Sequence, residues 1–272
     1  MTMPTTLTTS EQESYDRDGI VFPIRVLSDD QAALARDQCL DLMERMGPGA
    51  KATDLTQMHA HFPWAFDLVT NPNVLDAVEG VLGPNILVWA NGLFAKRPHD
   101  PSFISWHQDA TYWGFESLRI ATAWIALSPS TVENGCMRVV KGSQKNQIQP
   151  HKNTFAEGNL LSRGQEIQVE VQEKDATDVV LNPGEMSLHH TRIIHGSNAN
   201  RSDTARIGFV VRYITPEARQ HDQRPQVVLA RGRNDVDHFE LLERPGEKSI
   251  DEAVAAMKES ARQLLESVLW DS

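Results

Sequence analysis

"ARIGFVVRYI", residues 205–214, decides the fold. Ile207, Phe209, Val211 and Tyr213 alternate with Arg206, Gly208, Val210 and Arg212, the period of two that belongs to an extended strand. One face is apolar and the other carries two arginines. Four more short runs have the same character: "NILVWANGLFAKRP" (85–98), "LRIATAWIAL" (118–127), "DVVLN" (178–182) and "EMSLHHT" (185–191). They are β-branched or aromatic and are bounded by Gly, Pro, Asn and Asp.

The chain before about residue 84 reads differently. Ser10 and Glu13 form a capping-box pattern with Gly19 as a stop. Ser28 and Gln31 repeat it before "DDQAALARDQCLDLMERM" (29–46), which ends at Gly47–Pro48. Asn71–Pro72 opens a further helix closed by Gly83. At the far end Ser249 and Glu252 precede Ile250, Val254, Met257, Ala261, Leu264, Leu265 and Val268 at helical spacing. Helices, then strands, then a helix predict an α+β fold with a mainly β core, a sandwich or barrel buttressed by N-terminal and C-terminal helices. With no repeat or linker in view, residues 1–272 read as a single domain.

A net charge of −11 argues against a nucleic-acid partner, because phosphate neutralisation needs a basic face. No stretch approaches the ~18 apolar residues of a membrane span, and "MTMPTTLTTSEQES" holds no apolar core of signal-peptide length. The two cysteines, Cys39 and Cys136, make neither a disulfide framework nor a zinc-thiolate pattern. A cytoplasmic setting is expected. Homo-oligomerisation is left open.

"SWHQDATYWG" (105–114) carries the first chemical signal. His-x-Asp is a frequent accident on its own. On an extended segment, however, His107 and Asp109 would point to one side and reach one ion, with Gln108 turned away. Two neutral imidazoles and a carboxylate suit a non-haem iron centre with open positions. The second imidazole has four candidates downstream: His151, His189, His190 and His195. Neighbouring strand residues face opposite sides, so at most one of His189 and His190 lines a cavity, and a core role suits either better. His195 has the favourable context, because "HGSNANRSDTAR" runs from it straight into the strand of Arg206. If the flanking strands pair, imidazole and guanidinium lie a few ångströms apart, with Gly208 leaving room for a dicarboxylate on the arginine.

Taken together, "HQD" followed by "HHTRIIHGSNANRSDTARIGFVVRY" (189–213) resembles the phytanoyl-CoA dioxygenase family of iron(II)- and 2-oxoglutarate-dependent oxygenases, in its bacterial small-molecule branch. "EQESYDRDGIVFP", "LFAKRP", "TAWIAL", "ENGCMRVVKGSQK" and "PGE" fit in the same order, over roughly residues 10 to 215. The resemblance implies a double-stranded β-helix (jelly roll). It implies His107, Asp109 and His195 as the metal and catalytic triad, with iron(II) as cofactor and 2-oxoglutarate and O2 as cosubstrates. Arg206 would anchor 2-oxoglutarate, joined by Lys96, Trp124, Ser197 and, more remotely, Asn91. Tyr112, Trp113, Gln108 and Arg212 are the candidates for contact with a small-molecule substrate; Arg212 reads equally as a salt-bridged barrel residue, and Tyr112, Trp113 and Phe115 are either core or pocket wall.

The implied reaction is hydroxylation of a C–H bond of a small polar metabolite, with release of succinate and CO2. Amino-phosphonates and quaternary-ammonium compounds are among the candidates by resemblance to bacterial members. Halogenation would need Ala or Gly at Asp109. The rival classes are a non-enzymatic jelly-roll binding protein and a metal-dependent hydrolase using the same triad. "QVVLARGRNDVDHF" (226–239), with Arg231 and Arg233, also resembles bacterial members, without a chemistry attached.

Overall fold

A computed structural model describes residues 6–47, 50, 52–111, 113–220 and 223–268. The chain opens with α1 (Thr9–Asp18), β1 (Ile20–Arg25), α2 (Asp29–Met46), α3 (Pro63–Val69) and α4 (Pro72–Leu82). Strands then dominate: β2 (Ile86–Lys96), β3 (Ile104–His107), β4 (Ile120–Ala126), β5 (Met137–Val140), β6 (His151–Asn153), β7 (Gln165–Ile167) and β8 (Ala176–Val179). After them come β9 (Glu185–His190), β10 (Ile194–Ser197), β11 (Arg206–Ile214), β12 (Gln226–Arg231), β13 (Glu240–Leu241) and the last helix, α5 (Ile250–Val268).

The strands form a major sheet in the order β1-β9-β4-β11-β2-β12-β13, a minor sheet β3-β10-β5-β8, and a separate β6-β7 pair. Residues of both larger sheets line one cavity, so the sheets face each other as in a jelly roll. The alternation that singled out β11 has a direct cause here. Ile207, Phe209, Val211 and Tyr213 pack into the core formed with α2, α3 and α4, and Arg206, Val210 and Arg212 face the cavity. Tyr213 closes its side of the core by donating its hydroxyl to the Val69 carbonyl at 2.8 Å.

The capping signals of α2 and α4 act where expected. Ser28 and Gln31 bond reciprocally, and Asn71 caps a helix with Pro72 in its first turn. Pro48 lies outside the described residues, as do the side chains of Leu265 and Val268. In α5 the Ser249–Glu252 box is present, and Met257 and Ala261 are buried.

Two expectations are corrected. The box of α1 is Thr8–Glu11, not Ser10–Glu13: two Ser/Thr-x-x-Glu frames overlap, and the earlier one follows Leu7, which is buried against Gly80 of α4. The strands flanking the 198–205 connection do not pair. β10 belongs to the minor sheet and β11 to the major one, so His195 and Arg206 meet across the cavity instead of along a ladder. Helix α3, which begins at Pro63 in the position proline favours, is a further element that the periodicity reading did not single out.

The segment of Arg231 and Arg233 is architectural. β12 joins the major sheet beside β2, and Arg231 ties it to α4 through Asp76 and Glu79, both at 2.7 Å. Arg233 pairs with Asp235 at 2.9 Å in the exposed loop beyond.

Candidate metal and cosubstrate site

His107 ends β3, and its partner across the antiparallel ladder is His195 on β10. Directly opposed residues bring their side chains close, and the two buried imidazoles lie 4.1 Å apart between ring centroids. Asp109 completes the group, with an oxygen 3.5 Å from His107 Nε2. One ligand atom from each of the three lies within 4.8 Å of the others.

The extended i, i+2 geometry is not how Asp109 arrives. The strand stops at His107, and Asp109 opens a short 3-10 turn, Asp109–Thr111, that bends its carboxylate back over the imidazoles.

The rings are held in the ligating orientation by backbone. His107 Nδ1 donates to the Ser105 carbonyl at 2.9 Å and His195 Nδ1 to the Ile193 carbonyl at 3.0 Å. A carbonyl only accepts, so each Nδ1 keeps its proton and each Nε2 lone pair is free for a metal. Burial, and the field of His107, push His195 down to about 3, which keeps it neutral. Burial works to raise Asp109, but the side chains of His107, His195 and Arg212 that face it outweigh it. The carboxyl is held well below the usual range and stays ionised. A neutral–neutral–anionic donor set fits iron(II).

The cosubstrate end lies along β11. Arg206 is fully buried; Nη1 donates to the Gly135 carbonyl at 2.6 Å, and Nε and Nη2 have no partner among the described residues. That leaves one edge of the guanidinium fork open, the geometry a carboxylate takes up bidentately. Burial lowers Arg206 to about 10, still cationic near neutrality. Trp124 lies under it, 5.3 Å from ring centroid to guanidinium carbon. A Cβ on Gly208 would collide with the Trp124 indole, so the room this glycine makes is for the tryptophan.

Lys96 is opposite Arg206 on β2 and donates to Ser197 Oγ at 2.7 Å and to the Asn198 carbonyl. Burial, with the Arg206 charge behind it, lowers Lys96 to about 6. Ser197 lines the cavity. Asn91 does not. It falls on the other face of β2, opposite Val211, and its Oδ1 accepts from the His59 backbone N–H and from His59 Nδ1.

Of the remaining candidates, Gln108 is a clamp. Its amide donates to the Arg192 carbonyl at 2.7 Å and accepts from the Gln149 N–H at 2.7 Å, which leaves it away from the cavity. His151 accepts from the Gln108 N–H, and His190 Nδ1 accepts from the Arg192 N–H, so neither is turned to the triad. His189 does line the cavity, 5.1 Å from the His195 ring, and sequence reading undervalued it.

Two cavities adjoin at the triad. The inner one holds His107, Asp109, His195, Ser197 and Arg206; the outer shares His107, Asp109 and Arg212 with it. Trp113 walls the outer cavity and packs against Trp89, and Arg212 sits 5.2 Å over its ring. Phe115 packs edge-on against Trp89 instead. Tyr112 lies outside the described residues.

The model of the family described as "Phytanoyl-CoA dioxygenase (PhyH)" matches residues 15–208. A "Probable phytanoyl-CoA dioxygenase" of Caenorhabditis elegans is 31% identical over 176 residues, 62% of this chain and 56% of that protein. A "Probable alpha-ketoglutarate-dependent hypophosphite dioxygenase" of Stutzerimonas stutzeri is 26% identical over 161 residues, covering 59% and 56%. The chain thus spans about half the length of the curated relatives it matches. Among solved structures, the non-heme monooxygenase ThoJ in its apo form superimposes with a TM-score of 0.82 at 33% identity, covering 95% of this chain and 97% of that one. Its nickel complex gives 0.76 at 30% identity, covering 95% and 98%. Among the described residues no helix is long and apolar enough to cross a membrane. The family match covers well over half of the chain, and the chain belongs to the phytanoyl-CoA dioxygenase family.

Proposed function

We propose that the protein is an iron(II)- and 2-oxoglutarate-dependent hydroxylase of a small polar metabolite. The carrying observation is the juxtaposition of two kinds of unfinished coordination in one cavity. His107 and His195 present free Nε2 atoms beside the Asp109 carboxylate, and Arg206 presents two unpartnered N–H groups. A metal-dependent hydrolase or a plain binding protein needs no dicarboxylate anchor beside the metal group. A carboxylate at Asp109 favours hydroxylation over halogenation.

The chain's own residues divide the work. His107, Asp109 and His195 would hold the metal, with the Ser105 and Ile193 carbonyls fixing both rings. Arg206 would take the distal carboxylate of 2-oxoglutarate, with Trp124 against its face and Lys96 and Ser197 beside it. The paired sheets exclude water from the reacting end. Bound iron supplies the dioxygen chemistry, in which 2-oxoglutarate, O2 and a C–H bond become succinate, CO2 and an alcohol. The outer cavity, walled by Trp89 and Trp113, would receive the substrate. Amino-phosphonates and quaternary-ammonium compounds are the candidate classes. The test is an oxygen- and succinate-coupled screen of a small-metabolite library with iron and 2-oxoglutarate present. A compound that raises succinate release and gains one oxygen supports the reading; oxygen-independent turnover overturns it.

A further inference from the structure

Three neighbouring strands of the major sheet place His189, Thr122 and Arg212 in one row. Thr122 on β4 is opposite His189 on β9 and, on its other side, opposite Arg212 on β11. Residues along such a row project from the same face of a sheet, and all three line the inner cavity with the triad. Buried polar atoms ordinarily have partners. In this row both ring nitrogens of His189, the hydroxyl of Thr122 and Nε of Arg212 have none among the described residues. Among the described residues the Arg212 side chain makes no hydrogen bond or ion pair, and its neighbour is the face of Trp113 at 5.2 Å.

The cosubstrate does not account for this row. Arg206 is six residues earlier on β11, roughly 20 Å of extended strand. Its row partner is Lys96, and its charge bears on Lys96, whereas the charge of Arg212 bears on Asp109 and His189. A divalent ion on Asp109 and a dianion on Arg206 offset each other, and Arg212, half-buried, is then a cation without a counter-charge whose Nε has no partner among the described residues. That arrangement is costly unless a ligand completes it. Asp109 is also the only acidic residue among the described residues lining either cavity, so a cationic head group would find no free carboxylate among them.

We propose that the His189–Thr122–Arg212 row receives an oxyanion, a carboxylate or phosphonate, on the substrate. This rests on the oxygenase reading above and selects between its two candidate classes. Arg212 supplies the charge, Thr122 a hydroxyl donor and His189 a ring N–H, with the Trp113 indole holding the guanidinium plane. The rest of the molecule extends towards the apolar wall of Trp89 and Trp113.

The experiment is calorimetric titration, under argon, of protein loaded with nickel(II) and 2-oxoglutarate, so that no turnover contributes. The probes are methylphosphonate, acetate and tetramethylammonium. Wild-type protein should bind one of the two anions saturably and ignore tetramethylammonium; the tighter anion identifies the head group. Arg212→Met should weaken that binding by about ten- to a hundredfold. Thr122→Val, which is nearly isosteric, should weaken it by a smaller factor. Both variants should bind 2-oxoglutarate as the wild type does. Anion binding that is undiminished in Arg212→Met, or found in no form of the protein, overturns the proposal. Preferential binding of tetramethylammonium does the same. So does a loss of 2-oxoglutarate affinity in Arg212→Met as large as in Arg206→Met, because the row would then serve the cosubstrate. Failure of the wild type itself to bind 2-oxoglutarate would instead remove the oxygenase reading beneath it.

Discussion

Replacing Arg206 by methionine removes the open fork while keeping most of the stem that packs on Trp124. In the free protein the loss is small: one hydrogen bond to the Gly135 carbonyl disappears, worth about 1 kcal/mol. Relief from a buried guanidinium whose pKa is already pushed down to about 10 offsets part of it. The bound state loses more. Nε and Nη2 are the two donors free to meet a carboxylate, and a charge-assisted contact of this kind is worth roughly 1.5–3 kcal/mol. That corresponds to about one to two decades in Kd. Arg206→Lys keeps the charge but not the planar fork, so it should fall between the two. The assay is anaerobic titration of 2-oxoglutarate onto metal-loaded protein, with metal affinity measured separately. Metal binding should be unaltered, because Arg206 touches none of the three ligands. An unchanged Kd for 2-oxoglutarate in Arg206→Met would refute the anchor.

Lys96, paired with Arg206 across the sheet, should make cosubstrate binding pH-dependent. Its pKa near 6 in the free protein lies well below the ordinary lysine value, and a bound carboxylate favours the charged form, so binding takes up a proton. The Kd should tighten as pH falls from 8 towards 6, and Lys96→Met should flatten that dependence in the same titration. Gln108→Leu should lower thermal stability by about 1–3 kcal/mol for each backbone group it leaves unpaired, at Arg192 and Gln149, with all three metal ligands retained. Melting curves with and without metal check this. Trp113→Ala should damage coupling more than metal binding: near-attack geometry tolerates little displacement, so succinate should be released in excess of hydroxylated product. Tight coupling in that variant would make Trp113 ordinary core.

What the sequence disclosed follows the range of the physics involved. Local signals were legible: the period of two in β11, the caps of α2 and α4, and the His-x-Asp spacing. The context of His195 and Arg206, at the two ends of one turn-rich connection, favours them, but only the many-part resemblance gives them roles, because no local rule says which histidine a distant strand brings to the triad. Parity along a strand is readable in principle, and Asn91 was misjudged by ignoring it. Lys96 and Asn91 are separated by an odd step and face opposite sides of β2. Gln108 is turned away, as alternation implies, and what the sequence does not show is the distant backbone of Arg192 and Gln149 that occupies its amide. The His189–Thr122–Arg212 row was out of reach for a different reason. It depends on the register of three strands far apart in sequence, and register is set by the assembled core and the connections between strands.

The central claim is that one chain provides both a metal triad and a cosubstrate anchor for oxidative chemistry. Succinate formation by wild type and His195→Ala, with iron(II), 2-oxoglutarate and O2 supplied together and each omitted in turn, tests it most directly. The account predicts succinate from wild type only when all three are present, and none above background from a folded His195→Ala. Succinate formed at the wild-type level by that variant, or by wild type without iron, would contradict it.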